Sequence, residues 1–258
     1  MRARALTILA AALLAAGVGA ARADVLQRHG IRINFQGSLS PKRLPRHGLA
    51  PVAVDLSARI SGTHGSSPPP LRRIELAINS HGRLDPTSLP KCTMRKLQPT
   101  TDADALAACG ASLIGEGTFS AKVGFTGQAP FPAAGKLLAF NGSYHGHPAV
   151  LAHVFGTKPV PTSYTLPFLI EPSHGTFGTV LSATVEDVTG SDGYITGLSL
   201  RLGRTSVKGG AGRGYVSAGC PAPEGVPEVV FPFARATFAF EGGAVLRSTV
   251  VRSCRARG

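Results

Sequence analysis

The sequence predicts an all-β protein: an antiparallel two-sheet sandwich, of jelly-roll or Ig-like topology, with one short disulfide-tethered helix. Three observations point there. Apolar residues alternate with polar ones in short runs, the period of half-buried strands. Those runs are punctuated by Gly and Pro, 32 and 20 among 258 residues. Helical patterning is confined to one short segment, so the crossovers that parallel strands need are not supplied.

The chain opens on a basic start, Met1-Arg2-Ala3-Arg4, then an apolar run from Leu6 to Ala20 and the small-x-small triplet Ala21-Arg22-Ala23. This is the pattern of a secretory signal peptide, with cleavage expected before Asp24. The apolar run is shorter than the roughly 20 residues of a membrane span. Residues 1–23 are therefore read as a leader and 24–258 as one secreted β domain, not integral to a membrane. The portion 24–70 is read as looser than the rest. The alanine- and arginine-heavy leader has a bacterial character.

The strands follow in order. Ile31, Ile33 and Phe35 alternate with Arg32 and Asn34, and Val52, Val54 and Leu56 continue the pattern. Residues 61–70 form a Gly-, Ser- and Pro-rich loop. Ile74, Leu76 and Ile78 then share one strand face, which turns Glu75 to solvent. The single helix signal follows: Thr100 or Thr101 as cap, Asp102 and Asp104 at the positive end, Ala105 to Ala108 as helix formers, and Gly110 as stop. Phe119, Ala121, Val123 and Phe125 alternate again. Residues 136–141 and 149–155 read as a hairpin around a loop from Asn141 to His147. Further strands are expected over 164–170, 176–185, 193–202 and 214–217. A Gly242-Gly243 reversal joins 229–240 to 244–251 as a second hairpin. Pro132, Pro167 and Pro232 suggest strand edges or bulges. Together with the uneven strand lengths, they favour a sandwich over a barrel.

Cys92, Cys109, Cys220 and Cys254 are all in the exported portion, where an even number implies two disulfides. Three pairings are possible. Cys92–Cys109 and Cys220–Cys254 are favoured because each closes a local loop. Spacings of 17, 111 and 34 residues are unlike those of a zinc site.

Motifs for chemistry are sparse, and no catalytic residues are assigned. His145, His147 and His153 are close in sequence, and His145-Gly146-His147 has a possible metal-ligand spacing. His147 and His153, however, would be about 20 Å apart along an extended strand. His145 and His147 thus remain the only metal candidates, and no metal or other cofactor is expected. The strands show no clustered carboxylates of the kind a glycosidase uses. A Gly-x-Ser-x-Gly nucleophile elbow is also missing. The run Lys208 to Gly214 lacks the Gly-Lys-Ser/Thr ending and helix of a P-loop, and reads as a hairpin loop. Asn141-Gly142-Ser143 matches the N-glycosylation pattern but is read as a turn.

The formal charge is +13, and +10 without Arg2, Arg4 and Arg22. Such a surface attracts polyanions. Export and the lack of any nucleic-acid motif argue against nucleic acid. An anionic cell-wall polymer, glycan or lipid surface is the expected partner, with Arg252, Arg255 and Arg257 read as a basic terminal tail.

Five segments, Gly82–Cys92, Ala108–Gly117, Leu138–Gly142, Tyr215–Pro223 and Phe231–Ala236, resemble exported proteins of GC-rich actinobacteria that carry no assigned activity. The resemblance spans roughly residues 70–258 and implies location, not catalysis. The expected function is a non-catalytic, envelope-associated or surface-binding protein of unknown ligand. The alternative is a secreted hydrolase acting on carbohydrate or ester substrates.

Overall fold

A computed structural model describes residues 24–98, 100–158, 160–186, 189–190, 193–208 and 211–257. The leader assigned to residues 1–23 is outside that range, as are Gly209 and Gly210 of the glycine-rich run.

The N-terminal strands are β1 (Asp24–Arg28), β2 (Ile31–Ser40), β3 (Arg43–Pro45), β4 (Ala50–Pro51) and β5 (Ala53–Gly62). Next come β6 (Leu71–Asn79), β7 (Gly82–Leu84) and β8 (Cys92–Thr93), then helices α1 (Met94–Leu97) and α2 (Asp102–Cys109). The middle of the chain forms β9 (Leu113–Val123), β10 (Phe131–Tyr144), β11 (His147–Gly156), β12 (Thr162–Pro172), β13 (Phe177–Thr184) and β14 (Tyr194–Leu202). The chain closes with β15 (Thr205–Lys208), β16 (Ala211–Gly214), β17 (Val216–Ala218), β18 (Glu228–Phe240) and β19 (Val245–Arg257).

The β class is as expected, and the arrangement is dominated by one curled sheet, beside a two-stranded sheet β15-β16 and a three-stranded sheet β4-β17-β7. The strands of the curled sheet follow the order β1-β2-β5-β14-β9-β10-β11-β12-β13-β6-β18-β19-β3, with β8 added beside β10. The path contains no division into the two facing sheets expected of a sandwich. Instead the sheet bends until its two edge regions meet. Phe35 of β2 packs edge-on against Phe238 of β18, with ring centroids 6.4 Å apart, and the Arg252 guanidinium of β19 donates to the Gly37 carbonyl of β2. A Cβ at Gly37 would come within 2.9 Å of Leu56 and 3.1 Å of Phe233, so a side chain there would have to displace both.

The three prolines lie at local edges of the curled sheet. Pro132 pairs only with β9, because β11 joins β10 from Gly135 onward. Pro167 pairs only with β11, because β13 joins β12 from Leu169. Pro232 pairs only with β19, next to a register shift, because β6 joins β18 from Ala234. Each proline therefore sits where its strand has one neighbour, a local edge within a continuous sheet.

Alternation sets the two faces. On β2, Ile31, Ile33, Phe35 and Leu39 are buried while Arg32, Gln36 and Ser38 are exposed. Apolar residues face inward and polar residues outward, the opposite of a lipid-facing barrel strand. Residues 24–62 supply β1, β2, β3 and β5 to this sheet, with Ile31 and Ile33 fully buried. Glu75 points outward and pairs with Arg73 at 2.8 Å.

Both hairpins expected from the sequence form. Between β10 and β11 the reversal is only two residues, His145 (φ 48°) and Gly146 (φ 82°), tighter than the loop expected from Asn141 to His147. Two successive left-handed residues match the twist of the strands they join. Asn141 is in β10 rather than in a turn. It is fully buried, and its amide nitrogen lies 3.0 Å from the carbonyls of Pro86, Leu89 and Pro90. That burial excludes it as a glycosylation site.

The helical segment forms with Thr101 as N-cap in a capping box with Asp104, and Gly110 follows the last turn. Cys92 is bonded to Cys109 and Cys220 to Cys254, with Cα separations of 5.6 and 5.8 Å. The first disulfide holds α2 on the outer face of β10 and β11, where Leu97, Ala105, Leu138, Phe140 and Leu151 form a separate apolar cluster. Arg252, Arg255 and Arg257 do not form a free tail: all three are in β19, and Arg255 pairs with Glu228.

Candidate functional site

The curled sheet encloses a cavity of about 630 Å³. Its wall is built by alternate residues of most strands of the sheet, including Phe35, Leu76, Phe119, Phe168 and Phe238. The space exists because several inward positions carry alanine: Ala58, Ala133, Ala152 and Ala236. A Leu or Phe at those positions would fill it. Native interiors hold few voids larger than a water molecule, so an apolar space of this size is a structural feature to be explained by function.

The lining runs from the buried Leu202 and Val150, at strand ends remote from the loops after β9 and β11, to exposed loop residues at the other end. Its mouth is formed by the loops after β9, after β11 and before β14, through Phe125, Thr126, Lys158, Val160 and Gly190. Phe125 and Val160 are 44% and 62% exposed. Phe125 packs edge-on against Phe131 at 6.1 Å, and the Gly124 amide donates to the Thr189 carbonyl at 2.7 Å, tying two of these loops together. Tyr164 of β12 faces inward close to the mouth. Burial, and secondarily the Glu186 charge, raises its phenol above the ordinary value, while the Glu186 main chain hydrogen-bonds it. Among the described lining residues Lys158 carries the only charge.

A second constellation is buried on the outer face, beneath α2. His153 of β11 is fully buried, with Nδ1 3.2 Å from the Thr165 hydroxyl and Nε2 3.8 Å from an Asp102 oxygen. The His153 Nε2 and that Asp102 oxygen have no hydrogen-bond partner. Burial lowers the imidazole below its ordinary value and raises the carboxyl above its own, each against the attraction of the other. The types are those of a hydroxyl–imidazole–carboxylate triad, but the geometry is not that of a nucleophile. Thr165 is 2% exposed and its hydroxyl donates to the Leu97 carbonyl at 3.4 Å. The group is not in the wall of the cavity.

The histidines singled out in the sequence are not brought together. His145 is in the tight turn with its ring against Tyr144, His147 is exposed at the start of β11, and His153 is buried further along that strand. Among the described residues no group of three His, Cys, Asp or Glu side chains could hold a metal ion. No helix among them is long and apolar enough to cross a membrane. The cavity was missed in the sequence because alanine at an inward position looks like any other core residue. The available signal was its recurrence at inward positions on β5, β10, β11 and β18. No protein-family model, curated protein or solved structure matches the chain.

Proposed function

We propose that this chain is a non-catalytic, exported bacterial envelope protein that binds an apolar molecule inside its curled sheet. The observation that carries the reading is the cavity: about 630 Å³, apolar over nearly all its wall and open at one end. Ligand sites are concave, mostly apolar and of this volume, with a few polar groups that orient the guest. An apolar space excludes water and favours an apolar occupant. The leader pattern of residues 1–23 and the two disulfides support export to an oxidising compartment. The basic surface supports residence near polyanionic envelope polymers or lipid. The hydrolase alternative gains nothing from the Thr165, His153 and Asp102 set, whose hydroxyl is enclosed and engaged with the main chain.

Uptake of Nile red, a neutral apolar dye whose fluorescence rises in apolar surroundings, tests the cavity. The protein should bind it saturably, and Ala152→Trp and Ala58→Phe, which fill the space from two different strands, should each abolish the signal. Absence of uptake, or uptake unchanged in both folded variants, would overturn the reading. Export is tested by mass: secreted protein that retains residues 1–23 would refute the cleavage.

A further inference from the structure

We propose that the ligand is an anionic amphiphile with a single long alkyl chain, its head group held at the mouth by Lys158. The inference rests on the cavity reading above and specifies the ligand class of that same site. Three features of the cavity carry it.

The first is volume. Allowing roughly 30 Å³ per heavy-atom group, the share of one water molecule in the liquid, the 630 Å³ space takes on the order of twenty such groups. That suits one alkyl chain of about sixteen to eighteen carbons with a small head, and is too little for two such chains. The second is polarity along the axis. The end remote from the loops is lined by Leu202, Val150 and other apolar side chains, whereas Thr126, Thr162, Tyr164 and Lys158 are placed towards the open end. A molecule apolar at one end and polar at the other matches that gradient in one orientation only. The third is charge. Lys158, exposed beside the mouth, is the one charged residue among the described lining residues, and it is a cation. A carboxylate or phosphate brought there by a buried chain gains a charge-assisted hydrogen bond from Lys158; the Thr162 hydroxyl is engaged with the Val160 carbonyl and Tyr164 feels the Glu186 charge, so the attraction falls to Lys158. The exposed Phe125 and Val160 flank the same opening and can cover the first methylenes below the head group.

Displacement of Nile red tests the assignment with palmitate and hexadecanol, which share a chain and differ in the head. Palmitate should displace the dye at a concentration tenfold or more below that of hexadecanol. Lys158→Gln, in an exposed loop, should remove that difference by weakening palmitate alone, and Lys158→Glu should reverse it. Equal potency of the two compounds in the unaltered protein, or a Lys158→Gln variant that weakens both alike, would overturn the head-group assignment while leaving the apolar cavity standing. A two-chain phosphatidate competing as well as palmitate would overturn the single chain. Failure of Nile red to bind at all would instead count against the cavity reading itself.

Discussion

Strands β10 and β11 present two apolar faces that are treated in opposite ways. Leu138, Phe140, Leu151 and His153 point outward and are covered by α1 and α2. Leu137, Val150 and Ala152 point inward and line the cavity. Neighbours in sequence thus belong to a packed layer and to an open one. The packed layer is short and would not hold by helix propensity alone, since α1 and α2 have four and eight residues. It is fixed by the Cys92–Cys109 bond, the capping box and close side-chain contact. The inner layer is spread over most of the sheet and is left incompletely filled. The difference indicates that tight packing was available to this sequence, and that the inner alanines leave space of a kind that can be occupied.

Truncation should separate the layers most strongly. Leu151→Ala removes a fully buried side chain from the packed layer and should cost about 2–5 kcal/mol. Leu166→Ala removes a half-buried side chain that already borders the cavity and should cost less than half as much. Urea unfolding of the two variants checks this, and equal losses would mean that the inner layer is packed as tightly as the outer. Opening the disulfide comes next. Cys92→Ala with Cys109→Ala should lower stability by about 2–4 kcal/mol and expose the segment 93–109 to limited proteolysis. Nile red uptake should survive, because the helices are on the face opposite the cavity.

Enlargement should reverse the order. Ala149→Leu adds volume to the packed outer cluster, where Ala149 is fully buried, and should destabilise by about 1–3 kcal/mol. Ala152→Leu adds the same volume to the cavity wall three residues along the same strand and should be neutral or stabilising, with weaker Nile red uptake. Thermal unfolding distinguishes the two, and a destabilised Ala152→Leu would show that the inner space is smaller than its walls suggest.

How much of this was legible depends on the range of the interaction. The alternation of Ile31, Ile33 and Phe35 is a local pattern, and it gives the inward face of β2 directly. The helix from Asp102 and its tether were readable for the same reason, since Thr101, Asp104, Gly110 and both cysteines are within a few turns of one another. The closure of the sheet was not. It depends on β6 pairing with β13 and β18, residues about a hundred or more positions away, and on the approach of Phe35 to Phe238. Nothing local to those strands encodes which partner each will take. The cavity depends in turn on that closure, because Ala58, Ala152 and Ala236 surround one space only after β5, β11 and β18 have been brought together. His153 is a further case: its even spacing from His147 puts both on one side of the strand, but its burial required α2 to be placed over it.

The smallest expected effect concerns that histidine, and it tests whether the outer layer is as dry as its packing implies. Burial lowers the His153 imidazole below its ordinary 6.5, more than the nearby Asp102 charge raises it. As the pH falls from 7 to 5, the unfolded chain gains a proton on this residue that the folded chain resists, so the unfolded state binds more protons and stability declines. Asp102 acts in the opposite sense. Its carboxyl is raised above the ordinary 3.8 by burial, so the cost of keeping it ionised recedes as the pH falls towards that value. The histidine therefore governs the upper part of the window and the carboxyl offsets it in the lower part. Lys136, whose charge favours the ionised Asp102, limits that offset. His153→Gln should flatten the decline in unfolding midpoint between pH 7 and 5, measured by urea unfolding across that range. An unaltered slope in His153→Gln would mean that water reaches the imidazole beneath α2, and the contrast between a filled outer layer and an open inner one would then be weaker than the packing indicates.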